Sequence, residues 1–382
     1  MNTSQLRTIF KENFNASGSL YASSGRINLI GEHVDYNGGF VLPGAIDKGI
    51  AAEVKPNGTD KVRLYSVDYA ASVEFGLNEA DKPQPAWARY VFGVARELIK
   101  RGGKVCGFDA AFSGNVPLGA GLSSSAALES VFAFALNDLF GCGVGKKELA
   151  IIGQMTEHHY IGVKCGIMDQ FASIFGKKGH LIRLNCDSLE YEYIPCVLKG
   201  YKLALMDSCV KHVLVDNPYN RRRESCEAVV KSIAKNHPQV TLLAHATEDM
   251  LREVKNTVSA EDYKCAAYVI GEVERVIRTC DALKRGDLEE VGKNMYATHE
   301  GLSRQYKVSC EEIDFLNSCA QKYGAAGSRI MGGGFGGCTI NLVAEAACAD
   351  FTSKTSGDYT RKFGVSPKVY EVNIEDGARK IG

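Results

Sequence analysis

The stretch Val116–Ala127, VPLGAGLSSSAA, decides how the rest of the chain is read. Before it, Phe108–Gly114 (FDAAFSG) has the pattern of a short strand. After it, Leu128–Leu139 has an apolar-rich helical pattern. A glycine-and-serine turn therefore joins a strand to a helix. Gly119 and Gly121 permit positive φ and let a ligand approach the backbone closely. Ser123, Ser124 and Ser125 stand where the helix begins. Unpaired N–H groups and the helix dipole favour an anion there. Two readings stay open: a cradle for phosphate, or a glycine turn with a serine N-cap. The loop is not a Walker-type P-loop, because no lysine follows its second glycine. It is not a dinucleotide fingerprint either, because Ser124 holds the third glycine's place.

Upstream, Ser19–Asp47 reads SLYASSGRINLIGEHVDYNGGFVLPGAID. It begins and ends like strands, at Leu20–Ala22 and Phe40–Leu42. Its middle holds Arg26, Glu32, His33, Asp35, Tyr36 and Asn37 between glycines 25, 31, 38 and 39. Such a segment is not ordinary core, because each buried charge needs a partner. A solvated hairpin turning at Asn37-Gly38-Gly39 is one reading. Ile27, Leu29 and Ile30 favour another, in which a packed segment aims the charges at a polyhydroxylated ligand.

The chain has 382 residues, enough for two domains. Basic and acidic residues balance at 45 each, which argues against a nucleic-acid-binding protein. The N-terminal MNTSQLRTIFKENF has no apolar signal core, and no apolar run is long enough to span a membrane. The expectation is a cytoplasmic protein with neither a membrane nor a nucleic-acid partner. The 13 cysteines are scattered, odd in number and without a CxxC pair, so they read as reduced thiols. No Cys/His cluster has zinc-ligand spacing.

The segment GRINLIGEHVDYNGG (residues 25–39) resembles the signature of galactokinases, members of the GHMP kinase family. VPLGAGLSSSAA is similar to that family's phosphate-binding motif, and SRIMGGGFGGC (Ser328–Cys338) to its glycine-rich third motif. CGIMDQ (Cys165–Gln170) and YNRRRESCE (Tyr219–Glu227) also resemble galactokinase segments. Mevalonate and homoserine kinases share the phosphate loop but should lack GEHVDYNGG. One departure is Val34, where galactokinases often carry Thr.

The resemblance implies an α+β fold of two domains, residues 1–195 and 196–382, with the active site in the cleft between them. It implies ATP-dependent phosphorylation of the anomeric hydroxyl of D-galactose by a monomer using MgATP. Asp169 and Arg26 would flank the reacting hydroxyl. Glu32, His33, Val34, Asp35, Gly166 and Tyr219 would hold the sugar. Gly119, Ala120, Gly121, Leu122, Ser123, Ser124 and Ser125 would hold ATP, with Ser66 as a further contact. Ser125 and Glu157 would hold Mg²⁺, a cation that prefers oxygen ligands. Rival expectations are a kinase for N-acetylgalactosamine, arabinose or galacturonate, and a non-catalytic galactose sensor on the same scaffold.

Elsewhere the reading is coarser. Gly49–Val54 and Lys61–Val67 are predicted strands, with Asn57-Gly58 as a hairpin signal between them. Trp87–Lys100 is a predicted amphipathic helix whose aromatics are assigned to the core. Lys146–Val163 is a second helix, carrying Glu157; His158 and His159 are read as incidental. Asp169 sits among Ile167, Met168 and Phe171, and an ionised acid there needs a helix N-terminus or an arginine. Tyr201–Met206 is a predicted central strand. Asn217 and Pro218 are the predicted N-cap and first residue of a helix that starts Tyr219 beside a cleft. Arg221, Arg222 and Arg223 are read as a solvated face. Ser309 and Glu312 have capping-box spacing. MGGGFGG is a turn that packs closely against the phosphate loop, and the last predicted strand is Lys368–Val372.

Overall fold

The computed structural model of the chain describes residues 3–117, 119–211 and 218–382. Helix α1 (Thr3–Phe14) precedes strands β1 (Ser19–Asn28), β2 (Phe40–Val41), β3 (Pro43–Pro56), β4 (Lys61–Ser66) and β5 (Ala71–Gly76). Then come α2 (Ala86–Lys100), β6 (Phe108–Gly114), α3 (Ser124–Leu139), α4 (Lys146–Thr156) and α5 (Met168–Phe175). Strands β7 (His180–Asn185), β8 (Tyr191–Pro195) and β9 (Tyr201–Lys211) follow. Helices α6 (Pro218–Ile233), α7 (Glu248–Glu253), α8 (Ala260–Arg285), α9 (Leu288–Glu300) and α10 (Glu311–Lys322) make up most of the second half. The chain closes with β10 (Gly327–Met331), β11 (Gly336–Ala344), α11 (Cys348–Phe363), β12 (Lys368–Glu371) and β13 (Arg379–Lys380). The predicted N-cap, Asn217, lies outside the described residues.

Three sheets result. The first has the order β13-β1-β3-β6-β4-β5, the second β10-β11-β9-β12, and the third β2-β7-β8. The predicted hairpin at Asn57-Gly58 is not formed between β3 and β4, because β6 lies between them. Residues Phe108–Phe112 of β6 are all buried, and a strand buried on both faces belongs inside a sheet. Asn57 instead ties the strand ends together, donating to Lys61 O at 3.0 Å and to Asp109 Oδ1 at 2.8 Å. Strand β4 then runs parallel to β6, whereas the other pairings are antiparallel.

Helix α3 is apolar nearly all round, as a helix packed in the interior must be. It lies on β1 and β3 and is covered by α2, α4 and α5. Helix α1 closes the opposite face of the first sheet through Leu6 and Phe10. Burying each of those side chains contributes roughly 1.5–3 kcal/mol. In the second half, α9 and α10 pack on β10. Long α8 starts at Ser259, whose side chain accepts from Asp262 N, and stops at Gly286 with φ 72°. The predicted capping box before α10 is absent. Cys310 is the N-cap without a side-chain bond, and Ser309 Oγ donates to Asp314 Oδ1.

The expected division near residue 195 falls between β8 and β9, and the chain crosses back over it. Strand β13 pairs with β1, and Asp47 N donates to Asn373 O at 3.0 Å. The last residues thus return to the first sheet, joining the two halves. Among the described residues, no helix is long and apolar enough to cross a membrane.

Candidate active site

Strand β1 runs through Gly25 and Arg26 to Asn28, with its pairing to β3 irregular between Ser24 and Arg26. It brings Arg26 up to the turn before α3. Arg26 N donates to Leu122 O at 3.1 Å, and its Nη1 donates to Gly121 O. The rest of the guanidinium grips Asp169. Nε donates to Oδ1 at 2.8 Å and Nη2 to Oδ2 at 2.9 Å. Asp169 lies in the first turn of α5, so a helix N-terminus and an arginine both adjoin it, as the sequence asks. Ser123 Oγ also donates to Asp169 Oδ2. Ser123 therefore does not cap α3. It is left-handed, with φ 55°, and makes no cap bond. The serine-cap reading fails here, and the N-terminus of α3 stays open for an acceptor.

The loop's backbone meets the third motif directly. Gly121 (φ 71°) and Gly332 (φ 89°) are so close that a Cβ on Gly332 would lie 3.2 Å from Gly121 Cα. The turn between β10 and β11 thus packs on the glycine-and-serine turn before α3, as its glycines predict.

Beyond Arg26, residues 28–35 bend back on themselves. His33 is left-handed, with φ 62°, and Asp35 opens a short 3-10 turn. Arg26, Glu32, His33, Asp35, Gly166, Asp169 and Tyr219 line one cavity of about 190 Å³, and Gly332 and Gly333 close it from the second half. Glu157 borders it too. Burial alone would raise the Glu32 carboxyl, but Arg329 and then Arg26 outweigh it and hold the group below the ordinary range. Burial pushes His33 down to about 4, so the imidazole is neutral. Its Nδ1 shares a 2.8 Å hydrogen bond with Tyr36 Oη, which meets Tyr306 Oη at 2.8 Å. Burial, then the neighbouring Asp169, push Asp35 up to about 7.

Glu157 ends α4 where the helix loosens into a π turn, Glu157–Ile161. His159, in that turn, meets Glu97 Oε1 through Nδ1 at 3.0 Å and does not line the cavity. Burial pushes Glu157 up to about 7, a hydrogen bond with Ser125 opposes this, and Asp169 adds to it. Ser125 and Glu157 thus adjoin as two oxygen donors, a set that suits Mg²⁺ completed by phosphate and water. Glu129, deeper in α3, was not foreseen. It accepts from Gln170 Nε2 at 3.0 Å and is pushed up by burial and by Glu157.

Ser124 and Ser125 also border a second cavity of about 320 Å³, walled by Tyr69, Trp87, Tyr90 and Phe112. The rings of Tyr69 and Trp87 stack at 6.4 Å with 11° between planes. Of the α2 aromatics assigned to the core, Phe92 is fully buried, while Trp87 and Tyr90 pack against the core's edge and also face this cavity. Nothing local in the sequence relates Tyr69, in the turn after β4, to Trp87.

Two predicted contacts, Val34 and Ser66, line neither cavity. Val34 is wholly buried, with its Cβ near Gly39, and its side chain does not line the first cavity. Ser66 is wholly buried at the end of β4 and lines neither cavity. Ala120 and Leu122 have buried side chains, which leaves only their backbone available to a ligand. Arg222 and Arg223 are not simply solvated, since Arg222 pairs with Glu261 at 2.7 Å and Arg223 with Glu227 at 2.9 Å.

Three family signatures match this chain. They are the galactokinase galactose-binding signature over residues 8–56, the GHMP kinase N-terminal domain over 89–177, and the GHMP kinase C-terminal domain over 280–351. A galactokinase of Thermotoga maritima is 40% identical over 358 residues, covering 94% of this chain and 98% of the relative. A galactokinase of Fusobacterium nucleatum is 40% identical over 381 residues, with 97% and 98% covered. The crystal structure of Lactococcus lactis galactokinase complexed with galactose superposes with a TM-score of 0.95 at 34% identity, over 99% of this chain and 100% of that one. Methanococcus jannaschii mevalonate kinase shares the fold, with a TM-score of 0.66 at 21% identity over 94% and 99% of the two chains.

Proposed function

Because the chain belongs to the galactokinase family of GHMP kinases, we propose that it transfers the γ-phosphoryl group of ATP to the anomeric hydroxyl of D-galactose. The products are galactose 1-phosphate and ADP. One observation carries the reading: the polar residues of the sugar signature converge on one small cavity, and Asp169 stands between that cavity and the start of α3.

The sugar occupies that cavity. Asp35 and Tyr219 read the hydroxyl at carbon 4, and Glu32 and His33 hold the far end. With His33 Nδ1 taken by Tyr36, Nε2 is the ring nitrogen left for the sugar, whereas Glu32 only accepts. Asp169 receives the anomeric hydroxyl. Held by Arg26 and Ser123, it has little freedom to turn, which favours a fixed attack geometry. Arg26 also grips the Gly121 carbonyl, so one side chain sets the register between acceptor and phosphate loop. Phosphoryl transfer is usually loose, with little bond formation to the nucleophile. Asp169 therefore orients the hydroxyl first and accepts its proton late.

The open N–H groups of α3 and the backbone of residues 119–125 cradle the phosphates. Tyr69 and Trp87 give the adjoining cavity an aromatic wall for the nucleotide base. Ser125 and Glu157 would hold Mg²⁺. When bound, that ion neutralises charge on the β- and γ-phosphates. The thirteen cysteines are free thiols, which supports a reducing, cytoplasmic setting.

ADP release, measured over galactose, glucose, N-acetylgalactosamine, arabinose and galacturonate, tests the reading. A site that hydrogen-bonds a hydroxyl rejects an analogue leaving its groups unpaired by up to about 10⁴–10⁵. Galactose should therefore far exceed glucose in kcat/KM. Equal values would sink the assignment. A higher value for another sugar would make this a kinase of that sugar, and ligand binding without turnover would make it a sensor.

A further inference from the structure

Arg329, in β10, is wholly withdrawn from solvent and spends its whole fork on the first half of the chain and its own neighbour. Nε donates to Leu29 O at 2.8 Å, and Nη2 donates to Asn28 O. Nη1 donates to Ile330 O and to Glu32 Oε2, each at 2.5 Å. Glu32 lines the sugar cavity, whereas Arg329 does not. Asn28 Nδ2 donates to the other carboxylate oxygen, Oε1, at 3.3 Å. Two more groups from the second half fasten the same segment. Tyr268 Oη donates to Glu32 O at 2.9 Å, and Glu272 Oε1 accepts from Gly31 N at 2.9 Å.

Stability alone does not account for this pair. Removing two charges from water is expensive, and well-packed apolar residues in their place are often as stable or more so. What an arginine fork adds is direction, because its planar donors fix a carboxylate in one orientation. We propose that Arg329 is a positioning residue for the sugar. By fixing the orientation of Glu32, it sets how tightly the enzyme holds the hydroxyl that Glu32 accepts from. Arg329 thereby acts on sugar affinity without lining the sugar cavity. The inference rests on the proposed galactose site and deepens it.

The test is a cycle of three variants: Arg329→Lys, Glu32→Gln, and Arg329→Lys with Glu32→Gln. Galactose affinity is read by titration calorimetry, and turnover and the KM for ATP by ADP release. Lysine keeps the charge but loses the fork. Galactose Kd and KM should rise by about 10- to 100-fold, the worth of one charge-assisted hydrogen bond. The KM for ATP should stay unchanged and kcat should change much less. In the Glu32→Gln background, Arg329→Lys should add little further loss, because its effect passes through Glu32. Unchanged galactose affinity in Arg329→Lys overturns the proposal, as does the same loss in both backgrounds. Should Arg329→Lys not fold, the double variant Arg329→Met with Glu32→Gln, which keeps neither charge of the buried pair, is compared with Glu32→Gln alone. Equal affinities support the proposal, and a further loss overturns it. Wild-type protein that turns over galactose while the cycle fails leaves the function standing. Wild-type protein that neither binds nor phosphorylates galactose overturns both.

Discussion

Gly166 and Asp35 occupy each other's space. A methyl group on Gly166 would lie 2.0 Å from Asp35 Oδ2 and 2.3 Å from its Cγ, nearer than any real contact. The absent side chain is therefore what lets the Asp35 carboxylate reach the sugar cavity. Gly166→Ala should displace Asp35 and raise the galactose KM about ten-fold or more, the worth of a lost hydrogen bond to a charged group. The KM for ATP should hold. Steady-state kinetics with each substrate varied in turn decides it, and a normal galactose KM would show that the loop yields freely.

Asp35 also makes the enzyme sensitive to pH. Burial and the nearby Asp169 push its carboxyl up to about 7, from 3.8 in an unfolded chain. It ionises only as pH rises through about 7. If the ionised form receives the sugar, kcat/KM for galactose rises over that interval at saturating Mg²⁺, and Asp35→Asn loses that limb. Stability runs the other way. The folded form holds this proton more tightly, so the contribution is full below about 4 and is lost as pH climbs to about 7. Asp35→Asn should therefore melt a few degrees higher than the wild type at pH about 8, and the gap should close in acid. A Tm difference that grows on acidification would refute the sign.

Asp169 is fixed by three donors, two from Arg26 and one from Ser123. Asp169→Asn keeps the shape and alters the acceptor. It should bind galactose in calorimetry yet lose kcat by about 10²–10⁴ or more, the range for a general base. Arg26→Ala should lose kcat less severely. If Asp169→Asn stays within a few-fold of wild type, this residue is structural and the base lies elsewhere.

Glu157 is dry, pushed up to about 7, and bonded to Ser125. A divalent cation placed between the two would offset that carboxylate's burial. Glu157→Ala should raise the Mg²⁺ needed for half-maximal turnover about ten-fold or more, and leave the melting curve in the absence of nucleotide largely intact. Full activity at low Mg²⁺ in that variant would remove Glu157 from the metal site.

Much of this molecule is set by short stretches of sequence. The strand, glycine turn and helix around residues 108–139 follow from local pattern, because helix periodicity and glycine's access to positive φ act over a few residues. The polar run at residues 25–39 likewise signals a site, since so many charges beside apolar anchors demand partners. Local reasoning failed where a residue's partner is distant in sequence. Asn57-Gly58 has the composition of a hairpin, yet β6 intervenes, because sheet order answers to burial of the whole strand set.

Side-chain direction was the other limit. The run Glu32-His33-Val34-Asp35 is continuous in sequence, but Val34 turns into the core while its neighbours line the cavity. Ser123 sits where an N-cap belongs and instead reaches Asp169, a residue of another helix. By itself, then, the sequence determined most of the elements, the glycine-and-serine turn and the identity of the sugar-signature residues, because those rest on local backbone preference and composition. Only the tertiary structure decided that Arg329 grips Glu32, that Tyr69 stacks on Trp87, and that Gly166 makes room for Asp35. Each of those pairs is joined by packing between separate elements, and no local spacing encodes the meeting.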